Sequence, residues 1–458
     1  MKGLKYIRIA LAALMLAGMT LLLFDTTGVL RHYLGWMPKI QLLPAVLALN
    51  VVVVVSVVVM TLLIGRFYCA VVCPMGIFQD IFVWLHKLIF PKRKYKYMRP
   101  ANWVRYPVLA LFVVLMVLGL NGLAVLIAPY SSYARMVTQL NAGGVAGAVA
   151  TVTLIVVVAM SFIYGRLWCN TICPVGTTLG LVSRFRIFGI RIDSEKCVGC
   201  RRCEKGCKAM CIDIDHKTVD HSRCVDCWNC LGQCKVGAIS LDLARGSKKA
   251  DNVDSSRRKF VATSVAVGAA MAVEAQEQKL DGGLAAIMDK QTPDRKVPIK
   301  PFGAGSVKNF HSHCTACQLC VEQCPEHVLR PSTKLESLMQ PEMNYHDGYC
   351  RTACTRCSEV CPAGAIRPLA QGEKTTISIG RAITLTSNCI SATGKDSCGT
   401  CARHCPAAAI SMVTGDNGNP RPVVNEARCI GCGACEYYCP ARPATAIYVE
   451  GREVHAEV

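Results

Sequence analysis

The sequence predicts an α-helical membrane domain of four transmembrane helices, followed by small α+β domains built around cysteine clusters. Three observations predict it. Four apolar runs occupy the first 165 residues, a cysteine hairpin occurs twice at a fixed offset, and sets of four cysteines recur through the rest. The chain has 458 residues, is 52% hydrophobic, and carries 29 cysteines and a net charge of +20. Its length calls for two or more domains. A single soluble domain does not combine such apolarity, charge and cysteine content.

The apolar runs are Ile9–Phe24, Ile40–Ile64, Tyr106–Ala128 and Gly144–Tyr164. About 20 apolar residues span a bilayer core, so three runs qualify outright and the first qualifies with its flanks. Lys2, Lys5 and Arg8 precede the first run and no small-residue cleavage site follows it, so it reads as an anchor. The segment His86–Arg105 has seven Lys or Arg and no acid. Positive loops stay in the cytoplasm. The N-terminus, the 65–105 loop and the residues after Tyr164 are therefore expected on the cytoplasmic side of the inner membrane. Basic charge then sits where topology asks for it, which argues against nucleic acid as a partner. No His, Asp, Glu, Lys or Arg lies inside the four runs, so no histidine pair is available for a b-type haem. No C-x-x-C-H attachment site for c-type haem occurs either. Any electron carrier must use cysteine.

The second and fourth runs exit into the same sentence, GRFYCAVVCPMG and GRLWCNTICPVG. Gly65, Arg66, Cys69, Cys73, Pro74 and Gly76 recur 100 residues later as Gly165, Arg166, Cys169, Cys173, Pro174 and Gly176. This is an internal repeat of a two-helix hairpin. Cysteines four apart share a helix face. Cys69, Cys73, Cys169 and Cys173 are thus candidates for a further redox or metal centre at the cytoplasmic membrane surface. Arg66 and Arg166 are candidates to hold a quinone headgroup or a cluster's negative charge, or to anchor helix ends by snorkelling.

Six further sets of four follow. Cys197, Cys200, Cys203, Cys207 and Cys224, Cys227, Cys230, Cys234 have the C-x2-C-x2-C-x3-C spacing of bacterial ferredoxins. In that arrangement three thiolates grip one [4Fe–4S] cubane and the fourth reaches the neighbouring one. Cys207 is therefore expected to join Cys224, Cys227 and Cys230, and Cys234 to join Cys197, Cys200 and Cys203. The third set is Cys314, Cys317, Cys320, Cys324, and the fourth is Cys350, Cys354, Cys357, Cys361. The fifth is Cys389, Cys398, Cys401, Cys405, with an insertion after its first cysteine, and the sixth is Cys429, Cys432, Cys435, Cys439. Pro325, Pro362, Pro406 and Pro440 close the last four sets. Small apolar segments such as AAAISM and ATAIYV then suggest a short helix leading into a strand. Adjacent and nested pairing of these four sets both fit the spacing; nested pairing, third with sixth and fourth with fifth, is the expectation. A disulfide framework would not repeat triads spaced by two, and structural zinc uses pairs rather than triads. Six [4Fe–4S] clusters follow, with Cys211 as a spare thiol near the second.

Residues 1–245 resemble the NapH-type membrane ferredoxins, in the four helices, the two C-x3-C-P motifs and the two-cluster tail. Residues 255–458 resemble the NapG-type ferredoxins, with a twin-arginine signal before four cluster motifs. Lys208 and Lys235 depart from that pattern, standing where a proline usually follows the fourth cysteine. The resemblance implies electron transfer from membrane quinol towards a periplasmic reductase, often a molybdenum nitrate reductase. The chain contains no molybdopterin domain, so that reductase is a separate partner. The alternative is an electron-donating assembly or maturation factor for another membrane or periplasmic metalloenzyme.

The domains expected are a four-helix membrane domain over 1–190, a two-cluster domain over 191–245, a linker over 246–280 and a four-cluster domain over 281–458. The linker holds SSRRKF, a twin-arginine-like signal. Lys248, Lys249, Arg257, Arg258 and Lys259 precede the 14 apolar residues Phe260–Val273, and a small-residue cleavage site follows at Ala275. A fusion of two ancestral proteins would leave such a signal internal. The expectation is that it exports the last four clusters to the periplasm, separating them from the first two by a membrane core about 30 Å thick; the alternative is a relic, a cytoplasmic linker packed on the first half. Quinol oxidation also needs a proton acceptor, for which Asp80 and His86 are candidates near the right surface.

Overall fold

The computed structural model describes residues 2–25, 29–91, 95–140, 144–243, 290–415 and 418–458. The twin-arginine segment and the whole of the expected linker, 246–280, fall within 244–289, outside the described residues.

The N-terminal unit is helical. Its elements are α1 (Lys2–Leu23), α2 (Val29–Leu34), α3 (Trp36–Lys39), α4 (Leu42–Leu47), α5 (Val51–Leu63), α6 (Tyr68–Val71), α7 (Pro74–Ile89), α8 (Asn102–Val117), α9 (Asn121–Ala124), α10 (Pro129–Thr138), α11 (Gly144–Tyr164), α12 (Leu167–Thr171) and α13 (Pro174–Val182). Two of these, α1 and α11, are long and apolar enough to cross a membrane. The second and third apolar runs are each broken, so four uninterrupted spans are not what the fold contains. Leu49 takes a left-handed conformation (φ 53°) and Asn50 caps α5, its side-chain oxygen accepting from the Val53 amide. That leaves α5 with 13 residues, about 20 Å of helix at 1.5 Å per residue. Gly119 (φ 77°) ends α8 in the same way after 16 residues. Mean hydropathy stays high through both breaks, because single residues such as Asn50, Gly119 and Asn121 are outweighed by the Leu and Val around them. The outer faces of α1, α5, α8 and α11 expose a belt of large apolar side chains, including Leu14, Val52, Val117 and Ile155. Contiguous apolar surface of this kind marks an interaction with lipid or protein.

After Gly65 and after Gly165 the chain does not leave the bundle. It turns back into it as α6 and α12. The Tyr68 hydroxyl donates to Gln41 Oε1 at 3.0 Å and accepts from the Leu42 amide at 3.0 Å, both at the start of α4. The helices α7 and α13 then start inside the bundle, each with proline in its first turn, where the missing amide costs nothing.

Two ferredoxin-like units flank this bundle. The first contains β1 (Phe188–Ile192), α14 (Arg202–Gly206), β2 (Ile212–Asp213), β3 (Thr218–Val219), α15 (Asn229–Gln233) and β4 (Ile239–Leu243). The outer strands pair antiparallel, Ile190 opposite Leu241, and the inner strands pair antiparallel between them. The C-terminal unit contains α16 (Val307–His313), α17 (Leu319–Glu322), β5 (Leu329–Pro331), β6 (Pro341–Met343), α18 (Arg356–Val360), β7 (Ile377–Thr384), α19 (Thr400–Arg403), β8 (Ile410–Thr414), β9 (Pro420–Val424), α20 (Ala434–Tyr437) and β10 (Ile447–Glu457). Here β7 pairs with β10 around the inner pair β8–β9, repeating the plan of the first unit, while β5 pairs with β6.

The units sit at opposite ends of the bundle. At one end Arg105, near the start of α8, donates to Ser222 Oγ at 3.1 Å, Lys87 at the end of α7 donates to Gly206 O, and the Arg166 amide donates to Lys208 O. At the other end Asn121, just after α8, donates to His311 O at 2.8 Å, and Gln139 donates to Glu322 Oε1 at 3.2 Å. Asp25, after α1, accepts from Gln323 through its carbonyl.

Candidate redox sites

In the first unit the cysteines enclose two small apolar cavities. Cys197, Cys200, Cys203 and Cys234 line one. Cys207, Cys211, Cys224, Cys227 and Cys230 line the other. The fourth cysteine of each set thus faces the triad of the other. Sulfur-lined and largely apolar, the cavities fit [4Fe–4S] clusters, each a compact body wanting four thiolates. The sets enclose volumes rather than points: among the described residues, no group of three or more His, Cys, Asp or Glu could hold a single metal ion.

The C-terminal unit overturns the nested expectation. Cys389, Cys398 and Cys401 share a cavity with Cys439, and Cys429, Cys432 and Cys435 share one with Cys405. Fifth therefore pairs with sixth. Likewise Cys361 lies beside Cys314, Cys317 and Cys320, while Cys324 lies beside Cys350 and Cys357. The reason is topological. The strands β7 and β10 bracket the fifth and sixth sets, and a two-fold pair of motifs inside one outer strand pair must exchange fourth cysteines with each other. Neighbouring pairs then join end to end, the Cys350 amide donating to Cys432 O at 2.9 Å.

The regular motifs share a backbone device. Two left-handed residues recur at the same places: Gly199 and Arg201, Asp226 and Trp228, Ala316 and Gln318, Gly431 and Gly433. Alternation of this sort curls the chain so that successive amides face inward, a concavity suited to an anion. The fourth and fifth sets lack it, with Thr355 at φ −116° and Gly399 at φ −167°. Their altered spacing replaces the tight curl with a wider one.

The repeated hairpin brings its four cysteines together, inside the bundle near the end that meets the first unit. Cys69, Cys73, Cys169 and Cys173 are buried in one core with Tyr68, Tyr130, Trp168 and Cys317. The re-entrant turns put them inside the bundle. Gln79 donates to Cys169 Sγ at 3.1 Å and the Gly176 amide to Cys173 Sγ at 3.2 Å. Arg66 and Arg166 are fully buried and crossed: Arg66 donates to Cys169 O at 3.1 Å and Arg166 to Cys69 O at 2.8 Å. Gly76 and Gly176 are needed because a Cβ at either would strike Cys69 O or Cys169 O. The snorkelling alternative for the arginines is set aside by their burial.

Between this tetrad and the first unit lies a charge cluster. Asp80 receives Arg166 Nε at 2.7 Å, Arg8 Nη1 at 3.7 Å and the Lys208 ammonium. Burial pushes the Lys208 ammonium down to about 8, against the pull of Asp80. Lys208 reads in sequence only as a missing proline; its role here is set by α7, 128 residues away. Asp80, Arg8 and Lys208 also line the polar end of a groove of about 1050 Å3 between α1 and α7. Ala13, Leu16 and Ala17 line its apolar length, and Asn229 and Gln233 of the second cluster motif close its polar end. Arg8, Lys87, Lys208 and Asn229 were invisible as a site in sequence, where they are scattered basic or amide residues. His86 faces elsewhere, stacked on Tyr95 at 5.3 Å and edge-on to Phe162.

Comparison with known proteins follows these boundaries in two of three families. A family described as a 4Fe-4S binding domain matches residues 46–93 and 146–192, one match for each hairpin. A 4Fe-4S dicluster family matches 313–365 and 396–442, the two adjacent pairs of the C-terminal unit. A second dicluster family matches 220–328, joining in sequence two sets that the fold puts at opposite ends of the bundle. The chain carries ferredoxin-type 4Fe–4S domains. Among curated proteins this ferredoxin-type chain is 28% identical over 186 residues to an uncharacterized protein of Methanocaldococcus jannaschii, covering 40% of this chain and 66% of that one. It is 27% identical over 190 residues to the putative electron transport protein YccM of Escherichia coli, covering 38% and 53%. It is 29% identical over 147 residues to the methylamine utilization ferredoxin-type protein MauN of Paracoccus denitrificans, covering 31% and 48%. Distant homology extends to the ferredoxin-type protein NapH of Haemophilus influenzae. The chain spans about half to two thirds of the length of these first two relatives. No solved structure matches it.

Proposed function

We propose that the chain is a membrane-bound polyferredoxin that takes electrons from quinol and passes them through [4Fe–4S] clusters to a separate reductase. The observation that carries this reading is the α1–α7 groove. Its apolar length suits an isoprenoid tail, and its polar end meets the second cysteine cavity, with Asn229 lining both. Asp80 is the carboxylate in that polar end and the natural acceptor for a hydrogen bond from a quinol hydroxyl. The six sets from Cys197 to Cys439 hold the clusters, which accept electrons one at a time, so the two electrons of a quinol leave in sequence while its two protons go to the adjoining water. Ala13→Trp fills the groove without touching a cysteine. Reduction of the clusters by a soluble menaquinol analogue is expected to fall at least tenfold, with iron content unchanged. An unaltered rate at full iron content would remove the groove from the pathway.

The bundle spans the inner membrane, with α5 and α8 completing the crossing through their re-entrant and short-helix extensions. The basic loop 86–105 belongs to the end that carries the first unit, which makes that end cytoplasmic. The C-terminal unit then lies on the periplasmic face, and the twin-arginine-like segment is the device that brings it there, as in a fusion of NapH-like and NapG-like halves. A reporter active only in the periplasm, joined after Val458, is expected to be active; a reporter active only in the cytoplasm at the same place is expected to be silent. The reverse pattern would put all six clusters on one side.

A further inference from the structure

The tetrad inside the bundle has no part in the six-cluster account, yet it lies between the two ferredoxin-like units. The core that holds Cys69, Cys73, Cys169 and Cys173 also holds Cys317 and Leu319 of the third cluster motif, with Tyr130 packed among them. On the opposite side Phe67, two residues before Cys69, meets Trp228 of the second motif with ring centroids 6.0 Å apart. Asn170, next to Cys169, donates to Ala209 O at 3.2 Å, and Ala209 lines the second cysteine cavity. The two ends of the bundle are separated by the 21 residues of α11, about 31 Å of helix. Tunnelling rates fall exponentially with distance, so electrons do not cross such a gap in one step at a useful rate.

We propose that Cys69, Cys73, Cys169 and Cys173 together hold a seventh iron–sulfur centre that carries single electrons through the bundle between the two ferredoxin-like units. The charge balance supports it. Arg8, Arg166 and Lys208 share one carboxylate, Asp80, and Arg66 is buried without a carboxylate partner among the described ion pairs. Arg66 Nε and Arg166 Nη2 are buried with no hydrogen-bond partner. Uncompensated buried cations are costly. A centre of iron, sulfide and four thiolates carries net negative charge, which offsets that excess. The two-fold repeat supplies two thiolates from each side, and Gln79 and the Gly176 amide already donate to sulfur as the partners of a cluster do. In each transfer one electron leaves a reduced cubane of the first unit, resides at the tetrad, and leaves for the centre at Cys317. No bond forms or breaks and no proton moves.

The test uses the full chain, purified anaerobically and reconstituted into sealed vesicles with ferricyanide trapped inside and dithionite added outside. Dithionite bypasses quinol, so the result is independent of the groove. Wild-type protein is expected to reduce the trapped ferricyanide and to show an EPR signal beyond those of the cubanes. Cys69→Ser and Cys173→Ser are expected to abolish that signal and slow transfer at least a hundredfold, leaving the cubane signals in place. Gln79→Leu, which keeps all four thiols, is expected to shift the redox midpoint of the extra signal. Wild-type rates of transfer in the cysteine variants, a tetrad that titrates as a dithiol, or a midpoint unmoved in Gln79→Leu would each overturn the proposal. A variant that loses all cubanes has not folded, and the Gln79→Leu midpoint then decides.

Discussion

Replacing Cys361 with alanine is expected to strip the cluster gripped by Cys314, Cys317 and Cys320, while the triad in its own motif keeps its iron. The reason is the exchange of fourth cysteines within adjacent pairs: Cys361 lies beside Cys314 and Cys320, and Cys324 beside Cys350. Cys324→Ala is expected to give the converse loss at Cys350, Cys354 and Cys357. Each variant should lose close to one cubane of iron and sulfide, the largest single effect a point change can have on cofactor content here. Cys317 lies in the helical core while Cys350, Cys354 and Cys357 do not, so the two clusters are expected to have different surroundings and different EPR spectra. Cys317 of the first triad lies in the helical core, so loss of a cluster there is expected also to cut the C-terminal unit off from the bundle, whereas loss of the next one is not. Identical spectra from the two variants would contradict the exchange. Nested pairing predicts a different outcome again, with Cys361→Ala depleting the fifth set instead.

The second large effect is expected at Asp80. Asp80→Asn leaves Arg8, Arg166 and Lys208 with no carboxylate between them. Removing one partner of a buried ion network costs about 3–5 kcal/mol. The side chain of Asp80 is 18% exposed and those of Arg8 and Lys208 are about as buried as Arg166, so solvent screens little of this. Urea unfolding of the detergent-solubilised chain, followed through the tryptophans of the bundle, measures the loss. Adding Lys208→Met to Asp80→Asn is expected to recover a good part of it, since one orphaned cation goes with the carboxylate. A double variant no more stable than the single one would mean that the loss does not come from the orphaned Lys208 ammonium.

Spacing made every four-cysteine set legible, along with the repeat that joins Cys69 to Cys169 and the exchange between Cys207 and Cys234. These are local patterns: a triad spaced by two can curl around a cluster wherever it occurs, and the left-handed residues at Asp226 and Trp228 or Ala316 and Gln318 are a consequence of that curl. The breaks at Leu49 and Gly119 were missed because averaged hydropathy passes over them, although Asn50 as a helix cap and Gly119 as a left-handed helix end are local signals. Asp80 could be named from its position along the chain, but its partners could not. Arg8 comes from 72 residues before it and Lys208 from 128 after it, and neither carries a motif.

By itself, then, the sequence determined that the chain carries ferredoxin-type 4Fe–4S domains and how their cysteines are spaced, since such spacing is a property of a dozen consecutive residues. Tertiary structure alone decided which cysteines share a cavity in the C-terminal unit, that the hairpin cysteines lie within the bundle, and that a groove runs from α1 to the second cavity. Those outcomes depend on strand pairing and helix packing between residues a hundred or more positions apart, and many chain paths satisfy the same local spacing until burial of the apolar faces selects one.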